Sequence, residues 1–489
     1  MGRRAALAAA AAWGALVFAG LQGSTPHLVD RDSLYHARYA QLLPERGLSR
    51  EFPWTQESVW RDAFSDKEFL FHVLLVPFCR SEDPATGAKV AAWLMGVGLL
   101  ATLAWVLSRN GIRAAWFWVF LVPALGNHFL FRMQEVRPAI LSVILLLLGV
   151  HFLLNARWRA LAVVGFVYSW TYTAPHLLVV FAGIDALARW GDERRFEWRG
   201  LAYAAGGVVA GLVIHPYFPN NLRLWWVMNV QIVARAWELG GDPVVRLGRE
   251  FESVSPRSLV VSSTLVLLCF LGTFLAAAFR GGALSARTRR LVAFMLGAFL
   301  MYLLSGRFIE YFAPLALLAA ASATDDLWPR DKWTTRRIVL GHLIALLAIG
   351  LSVRSVLDTR GDPKNSWTLA GYPAPDLVGA ARWMKSNVPP GETVIHLDWG
   401  DFPQLFYYDP THRYLVGLDP MFLYVRSPER LKLLEDVKWG RKPLDPAELA
   451  KSFKSRWLVL RPGRRRAAEE AGLTPAFEDE GGSVYRLRE

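Results

Sequence analysis

The residues of this sequence with the clearest chemical potential follow its first apolar segment. Asp30, Asp32, Tyr35, His36 and Arg38 lie within nine residues of one another. On an extended loop, side chains two residues apart point to the same face, so the two acids can share a divalent cation or position an acceptor proton. His36 and Arg38 supply cationic donors of the kind that phosphate binding needs. The alternative is an exposed loop with ordinary solvated charges.

A second charged group occupies a short turn between two apolar runs. It contains Arg132, Glu135 and Arg137. Glu135 is a candidate metal carboxylate, and the two arginines are candidate phosphate ligands. Alternatively, the arginines anchor the turn to lipid headgroups and Glu135 is their counter-ion.

Arg307 begins a later apolar segment, with Glu310 three residues on. An arginine at that depth is costly unless it faces a cavity or a partner. We expect Arg307 to bind a phosphate, with Glu310 orienting it. A plain Arg–Glu ion pair at a helix end is the alternative.

The composition identifies the elements that must position these residues. The chain has 489 residues, of which 53% are hydrophobic, and its mean hydropathy is +0.24. Soluble domains rarely carry such an apolar load. The net charge of +13 comes with arginine clusters between apolar runs, which indicates membrane topology and not nucleic-acid binding. Two cysteines are too few for a disulfide framework.

Apolar runs predict an α-helical, polytopic membrane domain over residues 1–356, with an outer loop at 22–85. We expect about eleven transmembrane helices, from the length that a hydrocarbon core requires. The predicted spans are 5–21, 86–107, 114–131, 138–154, 160–171, 174–189, 200–215, 259–279, 291–305, 311–324 and 338–356. The first favours an uncleaved signal anchor over a cleaved signal peptide.

The arginine clusters predict the orientation of the chain. They alternate in register with the spans, and loops rich in Lys and Arg stay cytoplasmic. The N-terminus is therefore expected inside and the C-terminus outside. Glu250 and Glu252, in the outer loop at 216–258, are interpreted as solvated charges.

Residues 357–489 predict a soluble, extracytoplasmic α/β domain. An amphipathic helix is expected at 376–387 and short strands at 393–397, 413–416, 457–461 and 484–487. Asp398, Trp399 and Asp401 follow the first of these strands. Polar and aromatic residues with a glycine at a strand end suit a recognition loop, although ordinary loop chemistry explains them as well.

Two stretches carry a resemblance to GT-C type membrane glycosyltransferases. Residues 32–38, DSLYHAR, are similar to the D-x-x-Y-H-x-R stretch of oligosaccharyltransferase catalytic subunits. Residues 381–401 resemble the region that leads into the W-W-D-Y-G acceptor motif of those subunits. Here His396 and Leu397 replace its two tryptophans, and Trp399 replaces its tyrosine. Recognition of a peptide sequon is therefore not implied.

The resemblance implies a transferase that moves a sugar from a polyprenyl-phosphate or diphosphate donor on the outer face of a bacterial-type inner membrane. Its partners would be that donor, membrane lipids and a glycan, lipid or protein acceptor, and no nucleic acid. By role, the implied residues are Asp32, Asp30 and Glu135 for catalysis, Arg307, Arg38, Arg137 and His36 for the donor phosphate, and Asp398, Trp399 and Asp401 for the acceptor.

Two questions stay open at the level of sequence. Asp32 and Glu135 can hold Mg²⁺ or Mn²⁺, but transferases of this type that use polyprenyl-phosphate monosaccharides can also work without a metal. Other functions on the same scaffold are a lipid or glycolipid flippase and a non-catalytic assembly protein. The acids lie on one predicted face only, which disfavours transport.

Overall fold

A computed structural model describes residues 2–194, 196–232, 234, 253–328, 335–364 and 368–487. Glu250 and Glu252 lie outside them. The chain divides into two compact units. Unit 1 comprises Met1–Val29, Lys89–Ile214 and Gly248–Tyr372, and unit 2 comprises Asp30–Ala88, His215–Leu247 and Pro373–Glu489.

Most of the described residues are helical. In chain order the α-helices are α1 (Arg3–Gln22), α2 (Asp32–Arg46), α3 (Phe69–Leu75), α4 (Pro84–Arg109), α5 (Ala115–Phe120), α6 (Asn127–Arg132), α7 (Ala139–Leu154), α8 (Trp158–Thr171), α9 (His176–Glu193), α10 (Arg199–Val213), α11 (Asn220–Trp226), α12 (Pro256–Ser262), α13 (Thr264–Arg280), α14 (Ala286–Leu304), α15 (Ile309–Leu327), α16 (Thr335–Arg360), α17 (Val378–Asn387), α18 (Phe402–Tyr408), α19 (Met421–Arg426), α20 (Pro428–Lys438), α21 (Pro446–Phe453) and α22 (Arg465–Glu470). A mainly helical chain with a small C-terminal sheet confirms the general fold prediction.

Helices occur at every predicted span, but they differ in length and polarity. Among the described residues, three helical segments are long and apolar enough to cross a membrane: Arg3–Gln22, Pro84–Arg109 and Thr264–Ala283. Two shorter apolar helices are α7 and α10. The count of eleven stays a prediction.

The third predicted span, 114–131, is not one continuous helix. It consists of α5, a 3₁₀ turn at Val122–Ala124 and α6. Pro123 has no backbone N–H for a helical hydrogen bond, and Gly126 adopts a φ of +112°. A Cβ at Gly126 would lie 2.0 Å from the carbonyl oxygen of Ser262, so this close approach requires glycine.

Small residues allow two helices of unit 1 to pack closely. Gly207 on α10 lies against α8, where a Cβ at residue 207 would come within 2.1 Å of the Ala162 carbonyl oxygen. Close backbone approach through small residues is typical of membrane helix pairs. The apolar core of the unit includes most of α15, whose residues from Ile309 to Ala323 are all buried.

Unit 2 contains a five-stranded sheet of order β2-β1-β3-β5-β4. The strands are β1 (Thr393–His396), β2 (Arg413–Tyr414), β3 (Trp457–Leu460), β4 (Pro475–Asp479) and β5 (Gly482–Arg486). β1 pairs in parallel with β2 and β3, and β5 pairs antiparallel with β3 and β4. The four predicted strands and the helix near 376–387 are confirmed, and β4 was not predicted.

The first outer loop packs into the same unit as the sheet. Tyr35, Tyr39 and Leu43, spaced four apart on α2, share one helix face and join a buried cluster that includes Phe52 and Phe402. The backbone carbonyl oxygen of Trp54 accepts a hydrogen bond from the N–H of Tyr414, in β2 of the sheet, at 2.7 Å. This packing places the start of α2 in the same compact body as the end of β1.

Candidate functional site

Asp32 is the first residue of α2, and Asp30 precedes it in a left-handed conformation. The φ of Asp30 is +67°, and Arg31 between them has helical angles. The predicted extended loop is therefore wrong, because the chain already turns into the helix at Arg31. At this position the partial positive charge of the helix N-terminus attracts the Asp32 carboxylate.

Arg31 connects this loop with the C-terminal part of unit 2. Its Nη2 lies 3.4 Å from Oδ2 of Asp376. Asp376 lines a pocket of about 360 Å³, together with Asp398, Asp401, Lys438 and Arg461. The loop that carries Asp30 and Asp32 and this pocket are thus joined by an ion pair within one unit.

The pocket lies at the carboxyl ends of the parallel strands β1 and β3, where open α/β sheets usually bind ligands. Asp398 caps the 3₁₀ turn Trp399–Asp401 by accepting the Gly400 N–H at 2.9 Å. Its Oδ2 lies 3.3 Å from Nζ of Lys438. Asp401 forms an ion pair with Arg461, the residue after β3.

The two acids of the pocket differ in their electrostatics. Burial raises the pKa of Asp401 to about 6, although Arg461 opposes the shift. Burial also acts on Asp398, but Lys438 and Arg461 outweigh it and lower the pKa of that carboxyl. Three acids and several cations line the pocket, so it suits a hydroxyl, amide or zwitterionic group better than a strongly charged one.

Trp399 lies between the two acids in the chain and packs partly against the apolar core of unit 2. His396 supports the same turn from below. Its Nδ1 lies 2.8 Å from the carbonyl oxygen of Asp398, and its Nε2 accepts the N–H of Leu415. Burial lowers the pKa of His396 to about 4. The ring is therefore neutral at neutral pH, and its role is to hold the turn in place through these two hydrogen bonds.

Arg38, also on α2, is half-buried. Its Nε donates to the carbonyl oxygen of Tyr407 at 2.6 Å, and its guanidinium lies 4.9 Å from the centroid of the Tyr407 ring. These two contacts hold the guanidinium in one orientation within unit 2. Burial lowers the pKa of Arg38.

His36, expected near a phosphate, is buried and faces another histidine. Its Nδ1 lies 2.8 Å from Nε2 of His72. His36, Glu68 and His72 together form the group of side chains in the described part of the chain whose donor atoms lie close enough to hold a metal ion.

In unit 1, the charged turn between α6 and α7 forms a buried network. Arg132 donates from Nε to Oε1 of Glu310 at 2.6 Å, and its Nη1 lies 2.8 Å from Oε2 of Glu135. Nε of Arg137 lies 3.9 Å from the same Glu135 oxygen. Glu310, expected to orient Arg307, thus pairs with Arg132 and links α15 to the turn.

Arg307 lies in the 3₁₀ turn Gly306–Phe308 that precedes α15. Its Nη2 donates to the hydroxyl of Tyr172 at 3.2 Å. Glu135, Arg137 and Arg307 belong to unit 1, whereas Asp30, Asp32, His36, Arg38, Asp398, Trp399 and Asp401 belong to unit 2.

The sequence interpretation missed Arg31, Asp376, Lys438 and Arg461 as parts of the pocket. Arg461 carried a usable signal, because it is the last residue of a predicted strand, and that strand runs parallel to the strand before Asp398. Lys438, at the end of α20, carried none.

Solved structures of membrane glycosyltransferases are similar to the chain over nearly its whole length. An oligosaccharyltransferase of Archaeoglobus fulgidus in the apo form superimposes with a TM-score of 0.66 and 13% identity, covering 96% of this chain and 71% of its own. ArnT of Cupriavidus metallidurans, bound to undecaprenyl phosphate, superimposes with a TM-score of 0.58 and 16% identity, covering 99% and 97%. The chain has the GT-C glycosyltransferase fold. The resemblance inferred from the sequence is confirmed at the level of fold.

Other GT-C proteins extend this likeness. The arabinofuranosyltransferase AftD from Mycobacteria matches with a TM-score of 0.58 and 16% identity, covering all of this chain and 40% of its own. The A. fulgidus oligosaccharyltransferase AglB, in complex with an inhibitory peptide and a dolichol-phosphate, matches with a TM-score of 0.65 and 14% identity. No family model matches the chain, and no curated protein matches its sequence.

Proposed function

We propose that the chain is an integral-membrane glycosyltransferase that moves a sugar from a polyprenyl-phosphate or diphosphate donor to an acceptor on the outer face of the inner membrane. The main support for the proposal is the position of Asp32 in the first turn of α2. The residue before it, Arg31, pairs with Asp376, which lines the pocket of Asp398 and Asp401. The GT-C fold supports it, since solved structures of this fold hold dolichol-phosphate and undecaprenyl phosphate.

In the proposed reaction, an acceptor hydroxyl or amide attacks the anomeric carbon of the donor sugar. Asp32 accepts the proton of the attacking group. The bond between the anomeric carbon and the phosphate oxygen breaks, and its electrons leave with the lipid phosphate. Arg307, Arg38 and Arg137 stabilise that phosphate by charge-assisted hydrogen bonds, and Asp30 assists Asp32.

The acceptor is proposed to lie against the pocket of unit 2. Asp398 has a lowered pKa and is charged at neutral pH, so it can accept a hydrogen bond from a sugar hydroxyl or an amide. Trp399, half-buried beside it, offers an aromatic face to a sugar or lipid ring. The mixed charge of the pocket fits a neutral acceptor group.

Asp32 and Glu135 are proposed to hold Mg²⁺ or Mn²⁺ if the reaction uses a metal. A metal there would supply a Lewis acid for the phosphate oxygens. Against this, Glu135 already contacts Arg132 and Arg137, so two cations compensate its charge. That compensation favours a structural role for Glu135 and metal-independent transfer.

Undecaprenyl phosphate, the carrier without its sugar, tests the donor part of the proposal. The purified full-length chain in nanodiscs should bind it saturably, measured by native mass spectrometry, and a C55 alcohol without the phosphate should compete poorly. Equal binding of the alcohol would contradict a phosphate site.

Reporter fusions test the orientation of the chain in the membrane. A fusion after residue 285 should report the cytoplasm, and a fusion after residue 370 should report the outside.

A further inference from the structure

Unit 2 contains a buried cluster of metal-binding side chains that the proposed transfer reaction does not use. His36 lies on α2, Glu68 directly precedes α3, and His72 lies on α3. One donor atom from each lies within 4.8 Å of the others. All three residues are at least nine-tenths buried. Solvent therefore does not solvate these polar groups, and their closeness needs another explanation.

Asp66 orients His72 toward the cluster. Its two carboxylate oxygens each lie 2.9 Å from Nδ1 of His72, so the Nδ1–H donates to Asp66 and the lone pair of Nε2 points to His36. A carboxylate that holds the outer nitrogen of a histidine is typical of metal-ligating histidines. Asp66 also accepts the backbone N–H of Glu68 at 3.0 Å, and it therefore positions two of the three candidate ligands.

Glu68 brings a negative charge that its surroundings only partly compensate. Its Oε1 lies 3.6 Å from Nζ of Lys67. Its Oε2 is buried and has no hydrogen-bond partner among the described residues. An uncompensated buried carboxylate oxygen is costly, and a cation bound between Glu68 and the histidines would remove that cost.

Aromatic rings enclose the cluster. The ring of Tyr39 lies 4.8 Å from that of His72, and the ring of Phe71 lies 5.2 Å from that of His36. The three candidate ligands are also buried from solvent. The cluster therefore suits a resident ion with a structural role better than a catalytic one.

We propose that His36, His72 and Glu68 bind one Zn²⁺ ion, with a water molecule as the fourth ligand. Two imidazole nitrogens and one carboxylate oxygen suit zinc, whereas Mg²⁺ and Ca²⁺ prefer oxygen ligands. With bonds of roughly 2.0–2.1 Å to zinc, the two nitrogens, now 2.8 Å apart, must separate by only a few tenths of an ångström.

The ion would cross-link α2 and α3 in unit 2. His36 lies one helical turn after Asp32 on α2, so the cross-link would hold the helix that carries the proposed base. The site shares no ligand with the Asp32 and Glu135 pair, and its existence does not depend on the proposed transfer reaction.

Zinc binding to the full-length chain tests this inference. After treatment with a chelator and dialysis against Zn²⁺, the wild type should retain one equivalent and show a higher Tm that EDTA reverses. Glu68→Gln and His72→Gln should bind zinc at least tenfold more weakly, and Asp66→Asn about 10- to 100-fold more weakly, as expected for an orienting carboxylate. His412→Gln is the matched control, because His412 forms a buried pair with Asp409 (Nδ1 to Oδ2, 2.5 Å) in the same unit.

Binding to His412→Gln should equal that of the wild type. Co²⁺ added to the wild type should give the visible absorption bands of a four- or five-coordinate site. This measurement needs no variant, so it tests the site even if His72→Gln does not fold. No retained zinc in the wild type, or wild-type affinity in a folded Glu68→Gln, would overturn the inference. The cluster would then be a hydrogen-bonded core.

Discussion

The guanidinium of Arg31 lies 3.4 Å from the carboxylate of Asp376, Nη2 to Oδ2. Both side chains are more than one-third exposed, and exposed ion pairs contribute less than about 1 kcal/mol to stability. The contact therefore contributes little to stability, but it shows where the two segments lie. Arg31 stands between Asp30 and Asp32, and Asp376 lines the pocket of Asp398 and Asp401. The proposed base and the proposed acceptor pocket belong to one compact unit.

Arg307→Ala should weaken the binding of undecaprenyl phosphate by roughly 10- to 100-fold, the effect of losing a hydrogen bond to a charged group. Native mass spectrometry in nanodiscs measures the change. Arg354→Ala is the control, because Arg354 forms an exposed pair with Asp358 and should leave binding unchanged. A monodisperse Arg307→Ala that binds as tightly as the wild type would make Arg307 structural.

Asp401 should give the stability of the protein a specific pH dependence. Its pKa is raised to about 6 in the folded state, so between the ordinary aspartate range and about pH 6 the folded chain binds more protons than the unfolded chain. Stability then falls as pH rises through this window. The Tm of the wild type minus that of Asp401→Asn should decrease from pH 4 to pH 6.5 and then stay constant.

Asp398→Asn is the matched control for that experiment, because the pKa of Asp398 is lowered. Its contribution to stability is present above the ordinary aspartate pKa and is lost only as pH falls below it. The corresponding Tm difference should be flat from pH 5 upward. Identical profiles for the two variants would contradict the electrostatic assignment of the pocket.

Gly207→Ala should destabilise the packing of α8 against α10. The added Cβ would meet the Ala162 carbonyl oxygen at 2.1 Å, and overpacking of this kind costs about 1–3 kcal/mol. Gly206→Ala is the control, since a Cβ there meets nothing within 4 Å. Tm in detergent measures both. An equal Tm for the two variants would contradict the close packing of α8 against α10 at Gly207.

Local patterns in the sequence predicted the elements better than the contacts between them. Apolar periodicity located the helices, and short β-rich runs located four strands. β4 was missed because it begins with Pro475 and is largely exposed, and neither feature is typical of a core strand.

The contacts that build the sites join residues far apart in the chain. Asp401 pairs with Arg461, and Glu310 pairs with Arg132, 178 residues earlier in the chain. Residue spacing cannot reveal such pairs, because the folding of distant segments creates them. Residue spacing equally cannot reveal the contact of His36 with His72, 36 residues away, and a role of His36 at the donor phosphate stays a prediction.

Sugar transfer by Asp32→Asn tests whether Asp32 is the base of the proposed reaction. The substitution keeps the shape of the side chain and removes its charge, so the variant should fold and bind undecaprenyl phosphate as the wild type does. The initial rate of transfer from a radiolabelled polyprenyl-phosphate sugar should fall by roughly 10²- to 10⁴-fold, as expected for the loss of a positioned base, while Asp30→Asn should lose less. Full transfer activity in Asp32→Asn would show that Asp32 is not the base.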